Sequence, residues 1–219
     1  MRRRRTALPA LVVGAIALGA VLTSAPASAA TLGSTVPAAT AGEACTPGTR
    51  VFTPEAPPAL ALLGAEDANR VATGRGVVVA VVDSGIDAGN PHLAGVVIGG
   101  VDLVGDGERA DGLSDTTGHG TAIAGQIAAQ PVDGSGVVGL APDARLLSVR
   151  VFRSNQQQDK DKGFGPTSQR IADGIHWAAD NGADIINVSI SQETDSPDLR
   201  AAVEHASAVG ALVVASGGN

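Results

Sequence analysis

Short runs of apolar, β-branched residues alternate with helical patterns through most of this 219-residue chain. Runs of this length between turn residues predict buried strands, and apolar residues three and four positions apart predict helices. The predicted strands are Val77–Val82, Arg145–Val151, Asp184–Ser189 and Ala211–Ala215, and the predicted helices are His119–Ala129, Ser168–Asn181 and Pro197–Val209. Strands joined through helices run parallel, because each helix carries the chain back along the sheet. The pattern therefore predicts an α/β fold with a mostly parallel central sheet.

Residues 1–29 have the composition of a secretory signal peptide. Arg2–Arg5 precede an apolar stretch, Ala7–Leu22, and Ala27-Ser28-Ala29 offers a cleavage site between small residues. The stretch contains Pro9 and is shorter than the ~20 residues that a membrane-spanning helix needs. We therefore expect export to the extracellular space or the cell envelope, without a permanent N-terminal anchor.

The rest of the chain divides into two predicted parts. Residues 30–70 are an Ala/Pro/Thr-rich extension that ends near a short amphipathic helix within residues 58–76, and residues 71–219 carry the strand and helix pattern.

The first 29 residues hold four of the 15 Lys and Arg residues and none of the 22 acidic residues, so their removal changes the formal charge from −7 to −11. A chain this acidic is predicted to bind neither nucleic acid nor anionic lipid.

Cysteine and histidine usage predicts no metal cluster. Cys45 is the single cysteine, so it is either a free thiol or bonded to a partner that these residues do not include. The four histidines lack the spacing of metal ligands; they are His92, His119, His176 and His205.

Asp83 ends the first predicted strand, and Ser84-Gly85 then turn the chain. Polar groups at the carboxyl ends of parallel strands meet at one edge of the sheet, where ligands and catalytic groups collect. Asp-Ser-Gly is also a favourable turn sequence, so a purely structural role stays an alternative.

His119 opens the next predicted helix, between Gly118 and Gly120. The helix dipole disfavours a positive charge at this end, so a carboxylate must lie nearby if His119 is to act as a general base. Asp83 is the candidate, and we expect the two side chains to meet. A histidine in a Gly-rich turn that merely lies at the surface is the alternative.

The last residues suggest a third functional group. The predicted strand Ala211–Ala215 runs into Ser216-Gly217-Gly218 and closes on Asn219, whose side-chain amide could donate to an oxyanion that forms during acyl transfer. Gly-Gly-Asn is equally ordinary turn chemistry.

These segments together resemble the subtilisin-like serine peptidases. The strings VVVAVVDSGID, GHGTAIAG, IINVSIS and VVASGGN occur in the family's order and approximate spacing, between Gly76 and Asn219. The lead-in GRGVVVAVVDSGIDAGNPHLAG, the segment VGLAPDARLLSVRVF and the N-terminal extension are most similar to mycosins, the type VII secretion-associated peptidases of actinobacteria. The resemblance implies a three-layer subtilisin-like fold and a secreted serine endopeptidase.

The resemblance also implies roles for individual residues. Asp83 becomes the orienting carboxylate, His119 the general base and Asn219 the oxyanion-hole donor. The segment that pairs with a substrate strand is Ser189, Ile190 and Ser191. The wall of the primary specificity pocket is Ser216, Gly217 and Gly218.

The chain departs from the family pattern in its nucleophile. The family's serine lies in Gly-Thr-Ser-x-x-x-Pro well after the oxyanion-hole Asn, and the 219 residues stop at Asn219. Gly165–Arg170 echoes that segment, but it precedes the strand at Asp184 and is predicted to cap a helix through Thr167 or Ser168. We therefore expect the N-terminal part of a peptidase, with a fold incomplete at its C-terminus and inactive as it stands. The alternative is a truncated, inactive domain that binds peptides or a partner along Ser189–Gln192.

The expected ligands follow from the same resemblance. A polypeptide is the expected substrate, and the secretion machinery is a further partner; a membrane tether would require an additional C-terminal segment. Mycosins resemble a pattern in which a disulfide ties the extension to the catalytic domain, and Cys45 would be one half of it. No cofactor is expected. Structural calcium stays an alternative, although the candidate acidic residues lack the spacing of a calcium loop; they are Asp102, Asp106, Asp111 and Asp115.

Overall fold

The computed structural model describes residues 51–191 and 195–217. Several predictions fall outside these residues: the signal peptide, most of the extension with Cys45, and the positions Gln192, Gly218 and Asn219. The division into a leader, an extension and a catalytic domain stays a prediction.

Strands of the described residues form one five-stranded sheet with the order β2-β3-β1-β4-β5, and every neighbouring pair is parallel. The strands are β1 Val78–Asp83, β2 Val97–Asp102, β3 Arg145–Arg150, β4 Ile185–Val188 and β5 Leu212–Ala215. The predicted α/β class with a parallel sheet is confirmed.

Three longer helices connect these strands, and they were predicted to within one residue. They are α3 His119–Ala128, α5 Ser168–Asp180 and α6 Pro197–Ala208. Short helices precede and separate them: α1 Pro58–Leu62, α2 Ala65–Val71 and α4 Gln157–Asp161, with a 3₁₀ turn at Pro91–Leu93. None of the helices within residues 51–191 and 195–217 has the length and the apolar composition of a membrane-spanning segment.

Helices cover both faces of the sheet. Ala80 and Val82 of β1 pack into the apolar core with α5 and α6, while Val79 and Val81 pack into a second core with α3 and the 3₁₀ turn. Successive side chains of a strand point to opposite faces, so a strand buried on both sides must be apolar throughout. The arrangement is the predicted three-layer architecture.

Strand β2 was not predicted from the sequence. Gly99 and Gly100 interrupt its apolar pattern, and glycine in a strand interior lowers strand propensity. At Gly100 the glycine is required, because a Cβ there would collide with the carbonyl oxygens of Ser148 and Asp111. The close approach of strand β3 and of the loop after β2 therefore requires glycine at position 100.

The helix caps follow the sequence signals. Thr167 is the N-cap of α5, where its Oγ1 accepts a hydrogen bond from the Arg170 N–H at 3.2 Å. Ser196 caps α6, and Pro197 occupies the first helical position. The segment Gly165–Arg170 is thus a helix start, as its position along the chain predicts.

Candidate active site

The carboxyl ends of the strands bring the predicted site segments to one edge of the sheet. Strand β1 ends at Asp83, and its neighbour β4 leads into Ser189–Ser191. Strand β5 lies beside β4 and leads into Ser216-Gly217. Since all five strands are parallel, these segments share the edge at which catalytic groups collect in open α/β sheets.

Asp83 and His119 are in direct contact. His119 Nδ1 lies 2.7 Å from Asp83 Oδ1, and the same oxygen accepts a hydrogen bond from the Ser84 N–H at 2.7 Å. The Asp83 side chain is fully buried, whereas 51% of the His119 side chain is exposed. A carboxylate acceptor at Nδ1 keeps the proton of the neutral ring there, so Nε2 carries the lone pair that can take a proton.

Burial raises the pKa of Asp83 above its ordinary value of 3.8, although hydrogen bonds from His119 and from the Ser84 N–H act in the opposite direction. Asp83 Oδ2 is buried and has no hydrogen-bond partner within the described residues. A negative charge held in this way is costly, and a positive charge on the adjacent ring reduces that cost. The Asp83 carboxylate is therefore held in contact with the one ring that can interact with its charge among the described residues.

Two glycines allow this contact. Gly118 adopts a left-handed conformation, with φ of 80°, immediately before α3 begins at His119. A Cβ at Gly120 would collide with the Gly85 carbonyl oxygen and lie 3.2 Å from Asp83 Cβ. The absence of side chains here lets the start of α3 approach the turn that follows β1.

Ser84 and Asp115 join this contact, and sequence reasoning missed both. Ser84 is fully buried, its Oγ donates to Asp115 Oδ1 at 2.9 Å, and the Gly120 N–H donates to Ser84 Oγ at 3.0 Å. Asp115 Oδ2 accepts from the Thr121 N–H at 2.9 Å. These side chains satisfy N–H groups of the first helical turn, which have no partner within the helix. An acidic residue four positions before a helix-opening histidine is the signal that could have identified Asp115.

Arg150 is a third residue of this region that the sequence did not reveal. Its side chain is fully buried and its Nε donates to the Ser84 carbonyl oxygen at 3.2 Å. Its terminal nitrogens donate to Asp102 at 2.9 Å and to Asp106 at 2.8 Å. The hydrogen bonds from Arg150 lower the pKa of Asp106. The loop Val104–Gly118 thus buries the side chain of Asp106.

The acidic residues considered for calcium do not fit a metal site. Asp102 and Asp106 are bound to Arg150, Asp111 is bound to Arg109, and Asp115 accepts hydrogen bonds from the start of α3. Within the described part of the chain, no group of three or more His, Cys, Asp or Glu residues is placed to hold a metal ion. The carboxylates are thus occupied by donors of the protein itself.

The predicted substrate segments lie side by side. The Ser216 N–H donates to the Val188 carbonyl oxygen at 3.1 Å, which extends the β4–β5 pairing. Ile190, Ser191, Ser216 and Gly217 line a cavity of about 500 Å³ together with side chains of α5 and α6. Ser189 Oγ accepts a hydrogen bond from Asn187 at 2.9 Å. Gly218 and Asn219 lie outside the described residues.

Comparison with known families identifies the class of this protein. The sequence model of the subtilase family, Peptidase_S8, matches residues 74–219. The chain therefore belongs to the subtilase family.

The chain is similar to individual members of this family. The chain is 40% identical to the major intracellular serine protease of Bacillus subtilis over 147 residues, which are 67% of this chain and 44% of that protein. It is 37% identical to Mycosin-1 of Mycobacterium tuberculosis over 173 residues, covering 72% of this chain and 38% of Mycosin-1. The chain spans half or less of the length of these two relatives.

Solved structures of mycosins show the same fold. The crystal structure of MycP1 from the ESX-1 type VII secretion system aligns with a TM-score of 0.63 and 30% identity, over 80% of this chain and 48% of that one. The structure of the MycP3 protease from the type VII (ESX-3) secretion system aligns with a TM-score of 0.61 and 32% identity, over 79% of this chain and 48% of that one. The predicted subtilisin-like fold and the similarity to mycosins are both confirmed.

Proposed function

We propose that this protein is a serine endopeptidase that hydrolyses polypeptides by acyl transfer, with Asp83 as the orienting carboxylate and His119 as the general base. The 2.7 Å contact between Asp83 Oδ1 and His119 Nδ1 is the observation that carries the proposal. Membership of the subtilase family supports the reaction class.

The geometry supports a stepwise proton transfer. Asp83 accepts the Nδ1–H, so His119 Nε2 takes the proton of a serine hydroxyl as the oxygen attacks the peptide carbonyl. The imidazolium then gives this proton to the leaving amine, and a water molecule repeats the sequence to release the acyl group. We propose that the serine follows Asn219 along the polypeptide and that the Asn219 amide donates to the oxyanion.

We further propose that substrates bind as an extended strand along Ser189–Ser191. This segment is partly exposed beyond the end of β4, where backbone groups can pair with a peptide. The side chain that precedes the cleaved bond would enter beside Ser216–Gly218. The exposure of Ser216 and Gly217 supports this assignment.

Export and a link to type VII secretion are also part of the proposal. The basic and apolar pattern of residues 1–29 supports export across the membrane. The similarity to Mycosin-1 and to MycP1 supports a role beside that secretion system, in the extracellular space or the cell envelope.

Labelling by a fluorophosphonate tests the assigned base in the full-length protein. We expect His119→Ala to abolish labelling, because the serine hydroxyl loses its proton acceptor. His176→Ala is the matched control; this histidine lies on α5 with its ring 4.8 Å from that of His205, and the variant should label like the wild type. Labelling that persists in His119→Ala contradicts the role of His119. An unlabelled wild type that binds peptides would instead support an inactive binding domain.

A further inference from the structure

Asp115 lies four residues before His119 and is the acceptor for six hydrogen bonds. Oδ1 accepts from Ser84 Oγ at 2.9 Å, the Thr117 N–H at 3.1 Å, Thr117 Oγ1 at 3.2 Å and the Gly118 N–H at 2.9 Å. Oδ2 accepts from the Thr121 N–H at 2.9 Å and from Thr121 Oγ1 at 2.7 Å. Both oxygens of this carboxylate are therefore fully used.

These donors come from separate parts of the chain. Ser84 belongs to the turn that follows β1, and its N–H donates to Asp83. Thr121 belongs to the first turn of α3. Thr121 Oγ1 also accepts a hydrogen bond from the Asp87 N–H at 2.9 Å, which adds a second link between the same two segments. Asp115 thus connects the element that carries Asp83 to the element that carries His119.

We propose that Asp115 is a positioning residue for the Asp83–His119 pair. The inference rests on the proposed peptidase function, which it deepens by adding a residue that acts through others. With Asp115 in place, the turn after β1 and the start of α3 are held in one arrangement, and the His119 ring stays within reach of Asp83. A role limited to capping α3 would stabilise the fold without affecting turnover per folded molecule.

Asp115→Asn separates these two roles. An asparagine side chain keeps the size of the carboxylate but turns one acceptor oxygen into an N–H donor, which must then face N–H or O–H groups of its neighbours. We expect the first turn of α3 to shift, and a displacement of about 1 Å at a catalytic group can lower turnover on the order of 10²-fold. KM should stay within about twofold, because none of the six hydrogen bonds to Asp115 comes from the described substrate residues beyond β4 and β5.

The measurement uses the full-length protein and peptide hydrolysis, with kcat and KM determined separately and thermal unfolding recorded for each variant. Asp111→Asn is the matched control; Asp111 lies in the same loop but is paired with the exposed Arg109. It should retain wild-type kcat. Wild-type kcat in Asp115→Asn, with or without a lower unfolding temperature, would overturn the proposal. If Asp115→Asn does not fold, Thr121→Val removes the two hydrogen bonds of Thr121 Oγ1, to Asp115 and from the Asp87 N–H, and keeps the Thr121 N–H bond to Asp115. This variant should lower kcat about 10-fold; unchanged kcat would again overturn the proposal.

Nuclear magnetic resonance of ¹⁵N-labelled histidine provides a readout that does not depend on hydrolysis. Asp83 accepts from Nδ1, so neutral His119 should be mainly the Nδ1–H tautomer in the wild type. Asp115→Asn should reduce the population of this tautomer, and Asp111→Asn should not; an unchanged tautomer in Asp115→Asn argues against positioning. A wild type that neither hydrolyses peptides nor reacts with a fluorophosphonate would contradict the proposed peptidase function. It would not contradict the positioning role of Asp115, because the tautomer of His119 still reports on its contact with Asp83.

Discussion

Asp83 is a fully buried acidic residue at the end of a strand whose other five residues are apolar. One of its oxygens holds the His119 ring, and the other is buried without a partner within the described residues. Such a group lowers the stability of the folded state when it is ionised. In the proposed mechanism, the negative charge of Asp83 stabilises the imidazolium that forms during acyl transfer.

Replacement of Asp83 by asparagine should therefore separate stability from activity. Burial raises the pKa of Asp83, so the folded protein binds this proton more tightly than the unfolded chain does. The free energy of unfolding then falls as the pH rises from about 3.8 through the folded-state pKa. Asparagine does not ionise, so Asp83→Asn should unfold at an equal or higher temperature than the wild type at neutral pH. Its kcat should fall by about 10⁴-fold, because the His119 ring loses its carboxylate partner.

Thermal unfolding at several pH values and peptide hydrolysis at neutral pH check this prediction. The stability difference between Asp83→Asn and the wild type should develop above pH 4 and be absent in stronger acid. A variant that is much less stable than the wild type at neutral pH would mean that the carboxylate is needed for folding.

At the scale of elements, the site depends on the distance between α3 and the turn after β1. Gly120 lies where a Cβ would collide with the Gly85 carbonyl oxygen, while Gly125 of the same helix has open space around its Cα. We predict that Gly120→Ala pushes α3 away from Asp83 and lowers kcat by 10²-fold or more. Gly125→Ala should leave kcat unchanged and stabilise the helix by about 1 kcal/mol, since alanine has the higher helix propensity.

Peptide hydrolysis and urea unfolding of the two variants test this contrast. Equal loss of activity in both variants would show that the flexibility of α3, and not the close approach at Gly120, matters. Wild-type kcat in Gly120→Ala would show that the helix can shift without disturbing His119.

Sequence patterns predicted most elements, and the errors have physical causes. The helices α3, α5 and α6 have clear apolar spacing and recognisable starts, such as the Thr167 cap and the Ser196-Pro197 start. Strand β2 was missed because Gly99 and Gly100 depress its strand propensity. Gly100 is set by contact with the carbonyl oxygens of Ser148, in the neighbouring strand β3, and of Asp111, in the loop after β2. Propensity describes local preferences and contains no information on such contacts.

At the scale of the whole molecule, Arg150 connects several distant segments. It lies in β3 in register with Asp83 of β1, and it binds Asp102 at the end of β2 and Asp106 in the following loop. Its side chain and that of Asp106 are fully buried. Breaking a buried ion pair leaves an uncompensated charge, so the network should matter for global stability.

Asp106→Asn should therefore lower the free energy of unfolding by about 3 kcal/mol at neutral pH. Arg150 lowers the pKa of Asp106, so this stabilisation is fully present above the ordinary value of 3.8 and is lost as the pH falls through the lower folded-state pKa. The stability difference from the wild type should shrink below about pH 4. Urea unfolding between pH 3 and 8 measures it, with Asp111→Asn as the control that should change stability little. A difference that does not depend on pH would show that the charge of Asp106 is not responsible.

By itself, the amino-acid sequence determined the order and type of the main elements, and it singled out Asp83 and His119 as a pair. The elements follow from local periodicity. The pair follows from the rule that parallel strands end at one edge, together with the resemblance to subtilisin-like peptidases. Only the tertiary structure decided the roles of Ser84, Asp115 and Arg150. Ser84 and Asp115, which are hydrogen-bonded, lie 31 residues apart, and Arg150 and Ser84 lie 66 residues apart. Asp115 also binds residues before and after the start of α3. Strand register and loop packing decide such contacts, because they select which distant polar groups are buried together and must therefore satisfy one another.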